Sequence, residues 1–204
     1  MPDGGFLIAD STNNRIRRVA ADGTITTVAG NGTSSFSGDG GSATSAALKS
    51  PVDVVVTADG GYLVADSLND RVRRVSAAGI ITTIAGDGVP RSAGDGGPAR
   101  GASLAGPVGL ALLWSKQQVT VYVAEYGGGI RAITRGGSIS TVRATVRLGT
   151  PTRLEYLRGG WLYVVDDKGA VTIVNTSRGH ALQVAAVRGQ RQEMVSPLAG
   201  RPIQ

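Results

Sequence analysis

A stretch of this chain is repeated almost unchanged 56 residues later. Residues 4–30 read GGFLIADSTNNRIRRVAADGTITTVAG, and residues 60–86 read GGYLVADSLNDRVRRVSAAGIITTIAG. The offset holds without a gap: Asp10 maps to Asp66, Arg15 to Arg71, Gly23 to Gly79 and Gly30 to Gly86. It persists through the following segment, where Ser37-Gly38-Asp39-Gly40-Gly41 maps to Ala93-Gly94-Asp95-Gly96-Gly97 and Pro51 to Pro107. A unit of this length cannot bury its apolar faces alone. It becomes stable by stacking on neighbours of the same kind.

Within each unit, short β-rich runs alternate with turn residues. Phe6–Ala9 and Tyr62–Ala65 are apolar runs that end at an aspartate, and Arg15–Val19 and Arg71–Val75 follow a polar turn. Thr24–Ala29 and Ile80–Ala85 come next; Val52–Thr57 after Pro51 and Val108–Leu113 after Pro107 complete the set. Each repeat therefore holds four strands joined by Asp-Gly and Gly-Gly turns. In Arg15-Ile16-Arg17-Arg18-Val19 the apolar residues stand three apart, which a strict period of two does not allow on one face. A bulge, or burial on both faces, resolves this.

The pattern decays towards the C-terminus. Val119–Ala124 with Glu125, then Ile130–Ile133 and Ile139–Val142, form a third unit without the Gly-Asp-Gly-Gly insert, in which Pro151 takes the place of Pro107. Trp161–Asp166, Ala170–Val174 and Ala181–Val187 form a fourth. The boundaries expected for a single repeat domain over 1–204 are 4–50, 51–106, 107–150 and 151–204, with the chain opening on the second strand of its first unit. The fold class is all-β: a β-propeller of about four four-stranded blades in an incomplete ring. A solenoid of β-coils is the alternative, but its repeats are shorter.

The run GGYLVADSLNDRVRRV, with GIITTIAGDG, an AGDGGPA loop and a later Pro-Val-Gly, resembles the NHL repeat, clearly over residues 4–113 and less so over 119–190. The resemblance implies a propeller, commonly six-bladed, with strands ordered outward from a central channel. It implies no single activity, because such propellers include RNA- and protein-binding modules, sensor domains, lyases and lactone hydrolases. A six-bladed ring needs more chain than this, so a longer parent protein or self-association is expected to complete it. Closure by the tail Ser196–Gln204, where Pro197 stands as Pro51 does, is a further alternative.

Composition narrows the chemistry. Aromatic residues make up 4% and glycine 31 of 204 positions, which suits short strands and tight turns. Cysteine is absent, which excludes disulfides and thiolate chemistry but leaves the compartment open. The N-terminus shows no secretory pattern and no apolar run reaches membrane-spanning length, so no membrane association is expected. His180 is the only histidine, so a zinc site built on several histidines is excluded, and no Gly-x-Ser-x-Gly nucleophile turn accompanies it.

Asp10 with Asn13 and Arg15, and Asp66 with Asn69 and Arg71, form a repeated motif in which the carboxylate is expected to brace a turn beside the guanidinium. Repetition itself argues for a structural role, because a catalytic group is needed once and not in every blade. Asp66→Ala is on this basis expected to cost about 1 kcal/mol. The glycine-rich loops Gly38, Asp39, Gly40, Gly41 and Gly94, Asp95, Gly96, Gly97 offer an anion cradle or a calcium carboxylate. Each holds one acid without calcium-loop spacing, so plain inter-blade loops are expected. A lactonase-like site needs several oxygen ligands converging on the channel, for which Asp53, Glu125 and Glu155 are the candidates.

Net charge is +6, and all of it falls in residues 119–204, with eleven basic and five acidic residues. Arg131, Arg135, Arg143, Arg147, Arg153 and Arg158 form a candidate patch for RNA, with Tyr126, Tyr156, Trp161 and Tyr163 as stacking groups. The reading that follows is a non-catalytic scaffold, not an enzyme, with no cofactor or metal. A protein is the expected partner and RNA the alternative; a lactonase- or lyase-like propeller enzyme is the third class. If two half-rings complete each other, light scattering on a size-exclusion column gives a discrete dimer. Aggregation or an unstable monomer would instead mark a piece of a longer protein.

Overall fold

The computed structural model describes residues 3–114, 119–143, 148–157, 159–176 and 181–186. The chain is all-β. The first sheet holds β1 (Phe6–Asp10), β2 (Arg15–Val19) and β3 (Ile25–Ala29). The second holds β4 (Pro51–Val56), β5 (Tyr62–Asp66), β6 (Arg71–Val75) and β7 (Ile81–Ala85). The third runs β8 (Pro107–Trp114), β9 (Val119–Glu125), β10 (Ile130–Thr134) and β11 (Ile139–Thr141). The fourth runs β12 (Pro151–Leu157), β13 (Trp161–Asp166), β14 (Ala170–Asn175) and β15 (Ala181–Ala186). Every sheet is an antiparallel meander, the arrangement of a propeller blade. The innermost strands β4, β8 and β12 pack one against the next, and β1 packs on β4.

The apolar cores lie between blades. Ile16, Leu48, Val64 and Ile81 join the first two blades; Leu63, Leu104, Val123 and Ile139 join the second and third. Tyr122, Leu154, Leu162 and Val174 join the third and fourth, where the Tyr122 and Tyr156 rings stack 6.0 Å apart. The three-residue spacing in RVRRV is resolved by burial on both faces: β6 pairs with β5 in unbroken register, Val72 enters the core shared with the third blade and Val75 the core shared with the first. The bulges that are present lie in the fourth-strand pairing, where the extra residues are Val28 and Ile84.

Buried guanidinium groups bind blade to blade, and this corrects the partner assigned to the aspartate. Asp66 is fully buried and its Oδ2 accepts from Asn69 Nδ2 at 2.9 Å, as the turn motif predicts. Arg71, however, donates to the carbonyls of Asn69 (2.8 Å) and Asp87 (2.7 Å) and stacks on Phe36. Arg15 likewise donates to the carbonyls of Asn13 and Asn31. The cation beside Asp66 is Arg73, 3.3 Å away and itself fully buried. Arg73 also pairs at 2.8 Å with Asp39, in the glycine-rich loop that leads out of the preceding blade. The third blade repeats the arrangement with Arg131, which lies 3.5 Å from Glu125 and 2.8 Å from Asp95.

The inserts carrying these acids run along the outer strand of the next blade. Gly40 N–H donates to the Ile81 carbonyl at 2.7 Å and Ala43 N–H to that of Gly79 at 2.8 Å; Gly96 and Ala99 do the same to Ile139 and Gly137. Gly38 is required there by a φ of +87°, and a Cβ would come within 2.6 Å of Ala46. Asp39 and Asp95 are thus committed to arginines, and the anion-cradle and calcium readings of these loops do not stand.

Burial raises the Asp66 carboxyl pKa, against the Lys49 N–H, Asn69 and Arg73 that pull it down. Removing Asp66 leaves the buried Arg73 with only Asp39 and the Ser37 carbonyl of the preceding loop, so the turn-based cost of about 1 kcal/mol is too small. Asp66→Ala is expected to cost about 3–5 kcal/mol. Asp10, whose carboxylate accepts only from Asn13 among the described residues, is expected to cost about 1 kcal/mol. Urea unfolding of the two variants checks the difference.

Candidate functional site

The clasp residues recur from blade to blade, so a site is sought where the repeat holds the backbone constant and varies the side chain. The innermost strands supply such a position. Each carries a register shift just after its proline, between Pro51 and Asp53, Pro107 and Gly109, and Pro151 and Arg153. Two residues past the proline, three adjacent blades therefore present a carboxylate, no side chain and a guanidinium.

Asp53 sits partly buried at the seam between β4 and β8. Its Oδ1 accepts from Val54 N–H at 2.8 Å, and its Oδ2 accepts from Leu110 N–H on the next blade at 2.7 Å. Loss of water around the carboxyl raises its pKa; those two N–H donors and the positive charge of Arg153 act in the opposite direction without cancelling the rise. Arg153 is exposed, with its Nη2 3.9 Å from Glu155 Oε2 on the same strand. Asp53, Arg153 and Glu155 thus belong to β4 and β12, on either side of β8, whose Gly109 carries no side chain and packs against Ala124 and Leu154. A carboxylate with a raised pKa is a proton acceptor and donor, and an exposed guanidinium two strands away can hold an anionic oxygen.

Other sequence-based candidates are placed elsewhere. Glu125 is buried in the third-blade clasp, accepting from Ser92 Oγ and Ala105 N–H, so it does not join Asp53 and Glu155. Arg131 leaves the basic patch for the same reason, being fully buried. Arg135, Arg143 and Arg153 are exposed, as is Tyr126, while Arg147, Arg158 and His180 lie outside the described residues. Asp53 was visible in the sequence only as one of several acids; its pairing with Arg153 needed the three prolines to be aligned.

At the other end of β4, a crevice of about 990 Å³ between the second and third blades is lined by Thr57, Asp59, Arg74, Arg100, Arg135 and the apolar Leu63 and Ile133. Arg74 is paired with Asp59. The crevice is suited to an anion, but its one carboxylate is held by its own arginine and is not placed for proton transfer. Among the described residues no three His, Asp or Glu side chains gather as metal ligands. Both Asp53 oxygens accept from N–H groups.

Neither a family model nor a curated protein matches the sequence. Solved structures do. Virginiamycin B lyase from Staphylococcus aureus matches with a TM-score of 0.58 and 16% identity, over 90% of this chain and 52% of that one. A gluconolactonase from Xanthomonas campestris matches with a TM-score of 0.59 and 24% identity, over 86% of this chain and 56% of that one. An auxiliary nutrient binding protein from Bacteroides ovatus matches with a TM-score of 0.56 and 15% identity, over 80% of this chain and 43% of that one. This chain thus spans about half the length of these structures. The likeness establishes a β-propeller fold of the kind seen in the lyase and the gluconolactonase. It also overturns the expectation of a non-catalytic scaffold without enzyme activity as the leading reading, because structures named as a lyase and a gluconolactonase share this architecture.

The raised Asp53 pKa fixes the sign of a stability effect. A carboxyl that binds its proton more tightly when folded contributes stability below the ordinary carboxylate pKa, and that contribution is lost as pH rises through the native value. Asp53→Asn removes this dependence. Relative to the unsubstituted chain, its melting temperature is expected to climb as pH rises from about 4 and then level off, as thermal melts across pH will show.

Proposed function

We propose that this chain is part of a catalytic propeller that opens a cyclic ester, with Asp53 exchanging the proton and Arg153 holding the oxygen on which negative charge develops. The observation that carries the reading is the divergence of Asp53, Gly109 and Arg153 at one backbone position that three blades otherwise share. The names of the similar structures, a lyase and a gluconolactonase, support the same class. The blades themselves we read as units of NHL type, on the strength of GGYLVADSLNDRVRRV and its repeat.

In hydrolysis, water adds to the ester carbonyl while Asp53 takes a proton from it. The carbonyl oxygen becomes an alkoxide beside Arg153. The ring C–O bond then breaks, and the leaving oxygen takes the proton back from Asp53, so the group ends as it began. Burial serves this cycle, because a carboxyl whose pKa is raised towards neutrality both accepts and returns a proton more readily than an ordinary aspartate. Glu155 is placed to orient Arg153 by its charge.

A panel of sugar lactones and cyclic depsipeptides tests the proposal, with product mass as readout. Hydrolysis adds a water, whereas an elimination leaves the mass unchanged and would replace the hydrolytic assignment. Asp53→Asn is expected to lower kcat by about 10²–10⁴-fold while the chain still melts cooperatively. The unsubstituted rate should rise with pH through a midpoint above the usual aspartate value. An Asp53→Asn variant as active as the parent would sink the reading.

A further inference from the structure

The outer flank of the first blade is built like the flank of the second, yet nothing covers it. Arg17 stands opposite Ile8 in the β1–β2 register as Arg73 stands opposite Val64 in β5–β6 and Arg131 opposite Val123 in β9–β10. Arg73 and Arg131 each bind the acid of their own blade and an aspartate delivered by the preceding loop. The Arg17 side chain makes no hydrogen bond or ion pair among the described residues, and its Nε is shielded from water. Around it, Phe6, Ile8 and Ile25 are 55%, 40% and 55% exposed, where their counterparts Tyr62, Val64 and Ile81 are 8%, 0% and 0% exposed. The edge of β1 also lacks the strand that β4 supplies to β5.

Arginine at this position follows the loop before it. Asp39 precedes Arg73 and Asp95 precedes Arg131. The segment leading into the fourth blade carries no acid between Ile139 and Pro151, and there the position opposite Val164 is the buried Thr172. The fourth blade has lost both halves of the clasp together. The first blade keeps the arginine.

We infer that the flank of the first blade is the docking surface for a further repeat unit of this same type, whose Gly-Asp-Gly-Gly loop brings an aspartate to Arg17 and whose following Pro-Val strand pairs with β1. The occupant needs its aspartate twelve residues before its proline, the spacing of Asp39 to Pro51 and of Asp95 to Pro107. The chain's own last segment does not qualify, because its one acid, Glu193, stands only four residues before Pro197. A second copy does not qualify either, because its two such loops are already engaged within it. This inference does not depend on the proposed ester chemistry, and its test reads stability and amide exchange.

The experiment joins a copy of residues 31–59 directly to Gly4, which reproduces the spacing those residues have ahead of Gly60. The fused chain is expected to melt at a higher temperature and to slow amide exchange across Phe6–Asp10 by roughly tenfold or more. Arg17→Gln, or Asp39→Asn in the grafted copy, should each remove most of that gain, and the two together should remove little more than either. In the unfused chain Arg17→Gln should leave the melting temperature unchanged, while Arg73→Gln lowers it. A fused chain that melts no higher, or a gain that survives Arg17→Gln, overturns the inference. So does an unfused dimer in which Phe6–Asp10 is already protected, since a second copy would then be the occupant.

Discussion

The architecture depends on a guanidinium held without water between two blades. Arg73 and Arg131 are the largest fully buried side chains among the described residues, and each is reached by an acid from its own blade and one from the blade before. A buried ion pair of this kind adds little net stability over an apolar pair of the same size, because both charges must be stripped of water. What it adds is position. The charge is satisfied only when the loop, the turn after the second strand and the third strand all stand in register, so blades that slip past one another leave a buried cation unmatched. Apolar contacts between sheets are more forgiving of such a slip.

Much of this was readable in the chain, and the parts that were not have physical reasons. The repeat placed the strands to within a residue or two, and the three-residue spacing of apolar groups in RVRRV pointed to the burial on both faces that is found. Arg71 was chosen as the partner of Asp66 because the two sit on either side of a tight turn. Arg73, two residues further along the same face of β6, is the one that enters the interior, and its second partner, Asp39, is far away in sequence. A signal was nevertheless present: Gly-Asp-Gly-Gly and the arginine of the following unit occur together in the second and third units and are both missing from the fourth. Glu125 and Arg131 were misjudged in the same way, as a channel acid and a surface base. They are a longer acid and its cation filling the clasp of the third blade.

The candidate site was hidden by the same repetition that exposed the fold. Matching residues draw attention to what every blade needs, which is turns, bulges and clasps. Asp53, Gly109 and Arg153 share a backbone position and nothing else, and they become a set only when the three prolines that precede them are aligned. Asp53 is distinguished from the other acids by its place on an innermost strand, partly buried, with one oxygen bonded to the next blade. Its oxygens accept from N–H groups, which leaves burial the dominant influence on its titration.

Loss of the acid-bearing insert contributes to the uneven charge of the chain. Through residue 118 acids and bases balance, and the pairs Asp39–Arg73, Asp66–Arg73 and Asp95–Arg131 show how tightly many of them are matched. Beyond that point the acid-bearing insert is gone. The bases that remain, Arg135, Arg143 and Arg153 among the described residues, are exposed. The clasp itself does not release a base: Arg131 stays paired with Asp95 and Glu125, and the clasp position of the fourth blade is Thr172. Arg153 is instead a substitution on the innermost strand, exposed at the position that Asp53 and Gly109 hold in the two blades before it.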